Sequence, residues 1–239
     1  MTGLGTIINV AGIICGGVMG LLFGKKMSER YQDTLMCATS LCVLFLGIGG
    51  CIEEMLSVTE KGLESGGTMM MIGCFALGAV IGEWLNLDHH MEQFGIWLKE
   101  KTKSEGDTTF VDGFVNASLT VCIGAMAVVG AITDGITGDY SILAAKAILD
   151  LIIIMIMTAS MGKGCIFSAI PVGIFQGSIT LLARLVEPFM TEQALSNMSL
   201  TGSMLIFCVG TNLIWGKRIK VANLLPAIFL AVLWTFLPF

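Results

Sequence analysis

The chain has 239 residues, of which 55% are hydrophobic and only 13% charged, with a mean hydropathy of +0.86 and a formal net charge of −5. Soluble domains carry about one quarter charged residues, so this composition excludes a water-soluble globule and points to an all-helical polytopic membrane protein partnered by a lipid bilayer. Net charge does not set topology, which follows the placement of Lys and Arg, and the absence of a basic stripe argues against a nucleic-acid partner.

Met1 to Leu4 supplies no basic region ahead of the first apolar run, which reads as a retained helix and not a cleaved signal. A helix rising about 1.5 Å per residue needs about 20 apolar residues to cross a bilayer. Hydropathy with breaks at charged or Gly-rich loops predicts about eight spans: 4–23, 34–52, 67–85, 112–133, 141–161, 165–185, 200–215 and 221–237. They occupy a single integral membrane domain, 1–239, with candidate repeat units 1–86 and 112–186 and a terminal helix pair in 200–239.

Placing the N-terminus outside puts Lys25, Lys26, Arg30, Lys99, Lys101, Lys103, Lys163, Lys217, Arg218 and Lys220 in the cytoplasm. Lys61 and Arg184 fall outside and Lys146 within the membrane, so the positive-inside rule is satisfied and both termini are expected to be extracytoplasmic. The longest loop, 87–110, places Leu87, Met91, Phe94 and Leu98 at helical spacing, which predicts an amphipathic helix on the inner interface. His89 and His90 beside Asp88 and Glu92 read as a solvated face, because adjacent side chains on a helix diverge; no metal or cofactor is expected. The acidic outer loops 53–66, 133–140 and 187–199 read as turns between helices.

The fifth span, Ser141 to Met161, carries the clearest functional signal. Lys146 and Asp150 lie inside it at i and i+4, on one helix face. A charge at the centre of a spanning helix costs about 2.5–3.5 kcal/mol on insertion scales and usually faces a bundle interior or watery cavity. The plain alternative is a self-neutralising pair with a lysine that snorkels toward the helix start. Asp150 is too short to snorkel, and Lys preceding Asp is the weaker order for an intrahelical pair, which makes Asp150 the sharper clue.

Asn9, Asn116, Gln176, Asn212 and Asn223 add amides within or near other spans. They fit either interhelical glue, worth about 0.6 kcal/mol per bond, or the lining of a polar path. Pro171 and Pro226 inside the sixth and eighth spans each free a carbonyl that a broken helix offers to an ion. Gly12, Gly16, Gly20, Gly78 and Gly82, with Ala169, Gly173 and Gly177, recur at four-residue spacing, the pattern of close helix packing. All eight Cys fall in or beside apolar runs and read as free thiols. Laying NVAGIICGGVMG from Asn9 over NASLTVCIGAMA from Asn116 aligns Asn, Cys, Gly and Met, a weak sign of inverted three-helix units. No nucleophile with its base, Walker sequence or dinucleotide loop is present, so an enzyme is not expected.

The segments GTIINVAGIICGGVMGLLFGKK, GFVNASLTVCIGAMAVVG, ILAAKAILD and the terminal IKVANLLPA resemble those of a bacterial family, the YdfK and YqgA type membrane proteins carried as domain of unknown function 554. The resemblance covers nearly the full length, with Cys122 to Met126 and the Lys146–Asp150 spacing as its most specific elements. It implies a bacterial cytoplasmic (inner) membrane location and supplies neither substrate nor functional residues. The reading that results is a secondary transporter or channel for a small ion or polar solute, passing near Asp150, Lys146, Asn9, Asn116, Gln176, Asn212 and Asn223. The alternative is a non-transporting scaffold or assembly subunit whose polar residues only fix packing; a homo-oligomer fits either.

Overall fold

The computed structural model describes residues 2–24, 26–59, 62–104 and 106–237. Lys25 and Lys61, both used in the topology reading, lie outside the described residues. Eleven α-helices and one hairpin make up the described fold: α1 (Leu4–Gly24), α2 (Glu29–Met55), β1 (Leu56–Thr59), β2 (Gly62–Ser65), α3 (Thr68–Leu85), α4 (Leu87–Lys101), α5 (Phe110–Cys122), α6 (Ala125–Thr137), α7 (Ser141–Met161), α8 (Ala169–Leu181), α9 (Ala183–Val186), α10 (Glu192–Trp215) and α11 (Pro226–Trp234). Short 3-10 segments, Lys163–Ser168 and Val221–Leu224, lead into α8 and α11.

The protein is an all-α polytopic membrane protein. Six described helical segments are long and apolar enough to cross a bilayer, and α5 and α6, bent by 61° at their break, meet the same test only when taken together. The last apolar stretch, Val221–Trp234, is shorter. Large side chains such as Phe45 (70% exposed), Met69 (80%) and Leu181 (87%) cover the outside of the bundle. In water such a surface would be a large aggregation liability; hydrocarbon accepts it.

Glycine decides which helices touch. A Cβ on Gly16 would lie 2.3 Å from the Leu151 carbonyl oxygen, and one on Gly20 2.3 Å from that of Met155. Gly12 meets Ala147 and Gly24 meets Ala159 in the same way, so α1 and α7 run parallel at backbone contact. Gly78 and Gly82 meet Ala227 and Asn223, packing α3 antiparallel to α11, while Gly47 and Gly210 press α2 antiparallel to α10. These stripes therefore act as packing surfaces. The α8 stripe is looser: Gly173 touches only Val10, and Gly177 meets nothing within 4 Å.

Several expectations need correction. The loop 53–66 contains the β1–β2 hairpin, antiparallel with Leu56 opposite Ser65. The loop 187–199 is largely the first turns of α10, which starts at Glu192 behind a Thr191 cap whose Oγ1 accepts from the Ala194 N–H at 3.2 Å. Pro226 opens α11 and Pro171 lies in the first turn of α8, each just after a 3-10 segment. Both prolines sit where 3-10 turns pass into α-helix inside the helical stretches Lys163–Leu181 and Val221–Trp234, which run on past them. On α4 the inward stripe is Asp88, Gly95 and Leu98, with Phe94 at the margin, stacked on Trp97 and edge-on to Phe114. His89 and His90 are exposed.

Candidate functional site

Lys146 and Asp150 do form the i, i+4 pair: the Lys146 ammonium donates to Asp150 Oδ1 at 2.7 Å and Oδ2 at 2.6 Å. Lys146 does not snorkel. It also donates to the Val121 carbonyl oxygen at 2.8 Å, so the ammonium's three protons meet three acceptors. Lys146 is 7% and Asp150 3% exposed, although Asp150 is the tenth residue of a 21-residue helix.

The Val121 carbonyl is free because α5 ends at Cys122 and α6 starts only after Gly124. Gly124 has φ 146° and ψ 149°, a conformation essentially reserved for glycine. Nothing lies within 4 Å of the position its Cβ would take, so backbone conformation, not space, is what requires glycine. The broken helix therefore sits in the fourth span and holds a lysine where the sequence suggested prolines holding an ion. An apolar cavity of about 580 Å³, lined by Ile123, Gly124, Val128, Phe175, Met198 and Ile228, lies beside the break.

Two more expected residues join the pair. Asn9 on α1 is fully buried and donates from Nδ2 to Gln176 Oε1 on α8 at 3.2 Å; it also interacts with the Asp150 side chain. One turn nearer the start of α1, the Thr6 and Thr180 hydroxyls face each other at 3.5 Å. Nearer still, Asp134 on α6, 0% exposed, accepts from the Gly5 N–H at 3.0 Å, a carboxylate at a helix N-terminus. Asp134, Thr6 and Thr180 were not singled out by the sequence, yet Thr6 shares a face with Asn9 and Thr180 with Gln176 at helical spacing, and that signal was available.

Toward the other end of the bundle the polar column stops. Ile13, Val121, Ile154, Met157, Cys165 and Val172, all at most 1% exposed, form an apolar layer between α1, α5, α7 and α8. Beyond it, about 16 Å along α7 from Asp150 to Met161 at 1.5 Å per residue, lies a cavity of about 170 Å³ with a mixed lining. Asp88, Asp112, Asn116, Asn212 and Lys217 line it together with Met161. Asn116 is thus separate from Asn9, and half-buried.

Asn212 and Asn223 have structural partners. Asn212 Oδ1 accepts from the N–H groups of Arg218 (3.0 Å) and Ile219 (2.9 Å), while Nδ2 donates to the Ile219 carbonyl oxygen at 2.7 Å, bracketing the turn after α10. Asn223 accepts from the Asp88 N–H at 2.7 Å and donates to Glu83 at 2.6 Å, tying the α3–α4 corner to α11. Lys217 bridges Asp88 and Glu92, and Lys220 pairs with Glu83. Partial burial disfavours the Lys217 ammonium, but its bonds to Asp88 and Glu92 outweigh that and raise its pKa above the ordinary lysine value. On the opposite loop Asp139 accepts from the Ser141 N–H, which holds its carboxyl below the usual range.

The family described as "Protein of unknown function (DUF554)" matches residues 4–236. The chain is 28% identical over 226 residues to "Uncharacterized membrane protein YdfK" of Bacillus subtilis (strain 168), covering 95% of this chain and 93% of that one. It is also 28% identical over 233 residues to "Uncharacterized protein YqgA" of Escherichia coli (strain K12), covering 96% and 94%. No solved structure matches. With a match running from the first helix almost to the last residue, this chain belongs to the DUF554 family of membrane proteins.

Proposed function

We propose that the protein is a secondary transporter for a small ion or polar solute in the bacterial cytoplasmic membrane, with Asp150 as its ion- or proton-binding group and Lys146 as the counter-charge. The observation that carries this reading is the Lys146–Asp150 pair beside the Asn9 and Gln176 amides at a broken helix, separated by an apolar layer from a cavity that holds Asp88, Asp112, Asn116 and Lys217 on the other side. Polar groups on both sides of one apolar block are what alternating access requires. Neutralising Asp150 would loosen Lys146, and with it the hold on Val121 beside Gly124; the 580 Å³ cavity gives that break room to move.

The N-terminus is proposed to be outside, with α1 to α3 and α5 to α8 as inverted units. In support, α1 runs parallel to α7, while α5 runs opposite to α7, with Thr109 bonded to Met161 and Val121 to Lys146. Labelling single cysteines introduced at positions 62 and 102 should reach the first from outside only and the second from inside only.

The rival reading, a non-transporting scaffold, is favoured by Asn212 and Asn223, whose bonds all brace loops. Purified protein in liposomes, screened for ion-driven or proton-coupled flux against pH, separates the two. Asp150→Asn should fold and abolish pH-dependent flux; unchanged flux in that variant removes Asp150 from the mechanism.

A further inference from the structure

Asp134 is another buried carboxylate, and its bond to the start of α1 engages one of its two oxygens. It is 0% exposed, its Oδ2 accepts from one backbone N–H, and among the described residues its Oδ1 has no hydrogen-bond partner. Among the described residues the ion pairs join Lys146 to Asp150, Lys217 to Asp88 and Glu92, and Lys220 to Glu83; none involves Asp134. A buried carboxylate left with one donor keeps most of its desolvation cost.

The groups between Asp134 and Asp150 form a sequence. After Gly5 N–H come the Thr6 and Thr180 hydroxyls, then Asn9 and Gln176, then Asp150. Gly5 to Asn9 spans about 6 Å along α1 at 1.5 Å per residue, short enough for a few waters. Among the described residues Asn9 Oδ1 and Gln176 Nε2 are also buried without partners. One of these orphans is an acceptor and the other a donor, and threonine hydroxyls act as both. A monatomic cation needs converging oxygens, whereas water both donates and accepts, so this mix of donors and acceptors suits water.

We propose that Asp134 is a second proton-exchanging carboxylate, linked to Asp150 by a file of bound water along the Gly5, Thr6 and Asn9 face of α1, so that the coupling ion is the proton. This rests on the transport reading of Asp150. A hydronium at the α1-start end gives its proton to Asp134 Oδ1. The new O–H passes that proton to the adjacent water, and a proton from the next water reaches the Asp150 carboxylate; only O–H bonds break and form, and one proton moves in net. Of the elements packed against α6, α1 and α8 present no charged group. The others contribute Lys146 and Asp150 on α7, Arg184 on α9 and Glu192 at the start of α10, the last two exposed. Lys146 is committed to Asp150 and Val121, and among the described residues no cation is paired with Asp134.

The test is infrared spectroscopy of the full-length protein in liposomes, following the carboxylic-acid C=O bands through pH steps and on exchange from H2O to D2O. Among the bands that respond to pH and shift in D2O in wild type, one should be lost in Asp134→Asn and another in Asp150→Asn. Asn keeps an acceptor for the Gly5 N–H, and Asp134→Glu, which retains the acid, should move the band without abolishing it. If the Asp150 band responds and no band depends on residue 134, or that band does not exchange, the water file is wrong while the transport reading stands. If neither band responds, proton coupling and the role of Asp150 fall together.

Discussion

Replacing Lys146 by Met tests the buried pair most sharply. The methionine keeps an unbranched apolar chain of similar length but removes the donor to both Asp150 oxygens and to the Val121 carbonyl. Breaking a buried pair from one side costs about 3–5 kcal/mol, because the remaining charge is uncompensated. At about 2–4 °C per kcal/mol for a chain of this size, the melting temperature in detergent should fall by roughly 6–20 °C. Asp150→Leu, which strands the ammonium instead, should fall by a similar amount. The double variant carries no buried charge and should recover most of the loss, since replacing both partners by apolar groups is often nearly neutral. Melting curves for the four proteins complete a double-mutant cycle. A double variant as unstable as the sum of the singles would refute the claim that the two charges depend on each other.

Four further outcomes follow from the geometry. Gly16→Ala should destabilise the protein by about 1–3 kcal/mol through overpacking, because its Cβ would enter the Leu151 carbonyl, whereas Gly177→Ala, with nothing within 4 Å, should be close to neutral in the same melt. Gly124→Ala should cost about 1–3 kcal/mol by backbone strain alone, read as a lower melting temperature with no change in oligomeric size. Asn212→Ala should lower stability by about 1–3 kcal/mol, as the turn after α10 loses its bracket, and should leave the pH profile of any flux unchanged. The raised pKa of Lys217 means that its bonds to Asp88 and Glu92 contribute in full below the unfolded lysine value of about 10.4 and are lost as pH rises through the higher folded value. Wild type should therefore lose more stability than Lys217→Met between neutral and strongly alkaline pH.

The sequence discloses what hydropathy and steric size control. Ser141–Met161 is legible to the residue because a long apolar run bounded by Tyr140 and Gly162 has few other conformations available. The glycine stripes of α1 and α3 are legible because only small residues let backbones meet in lipid. The start of α10 is not, since Gln193, Ser196 and Asn197 look like a loop until Asn197 is seen bonded to Ala231 and Thr235. Asp88 and Asp134 look like solvated acids for the same reason: their partners, Lys217 and Gly5, come from distant parts of the chain. Spacing alone gave the Lys146–Asp150 face, but the third acceptor, Val121, depends on a break at Gly124 that follows from backbone conformation and not from hydrophobic period.

Whether the polar column is part of a path is tested most directly by the reach of water to position 9. With Asn9→Cys as the single thiol of an otherwise Cys-free protein in sealed vesicles, small charged thiol reagents are applied from one side and then the other. A transporter that opens alternately across the layer of Ile13, Ile154 and Met157 should be labelled from both sides, with labelling from one side slowed by conditions that favour opening to the other. A cysteine that stays unreactive from both sides, in a protein that is folded and correctly inserted, would contradict the path and leave Asp150, Lys146, Asn9 and Gln176 as the packing of a scaffold.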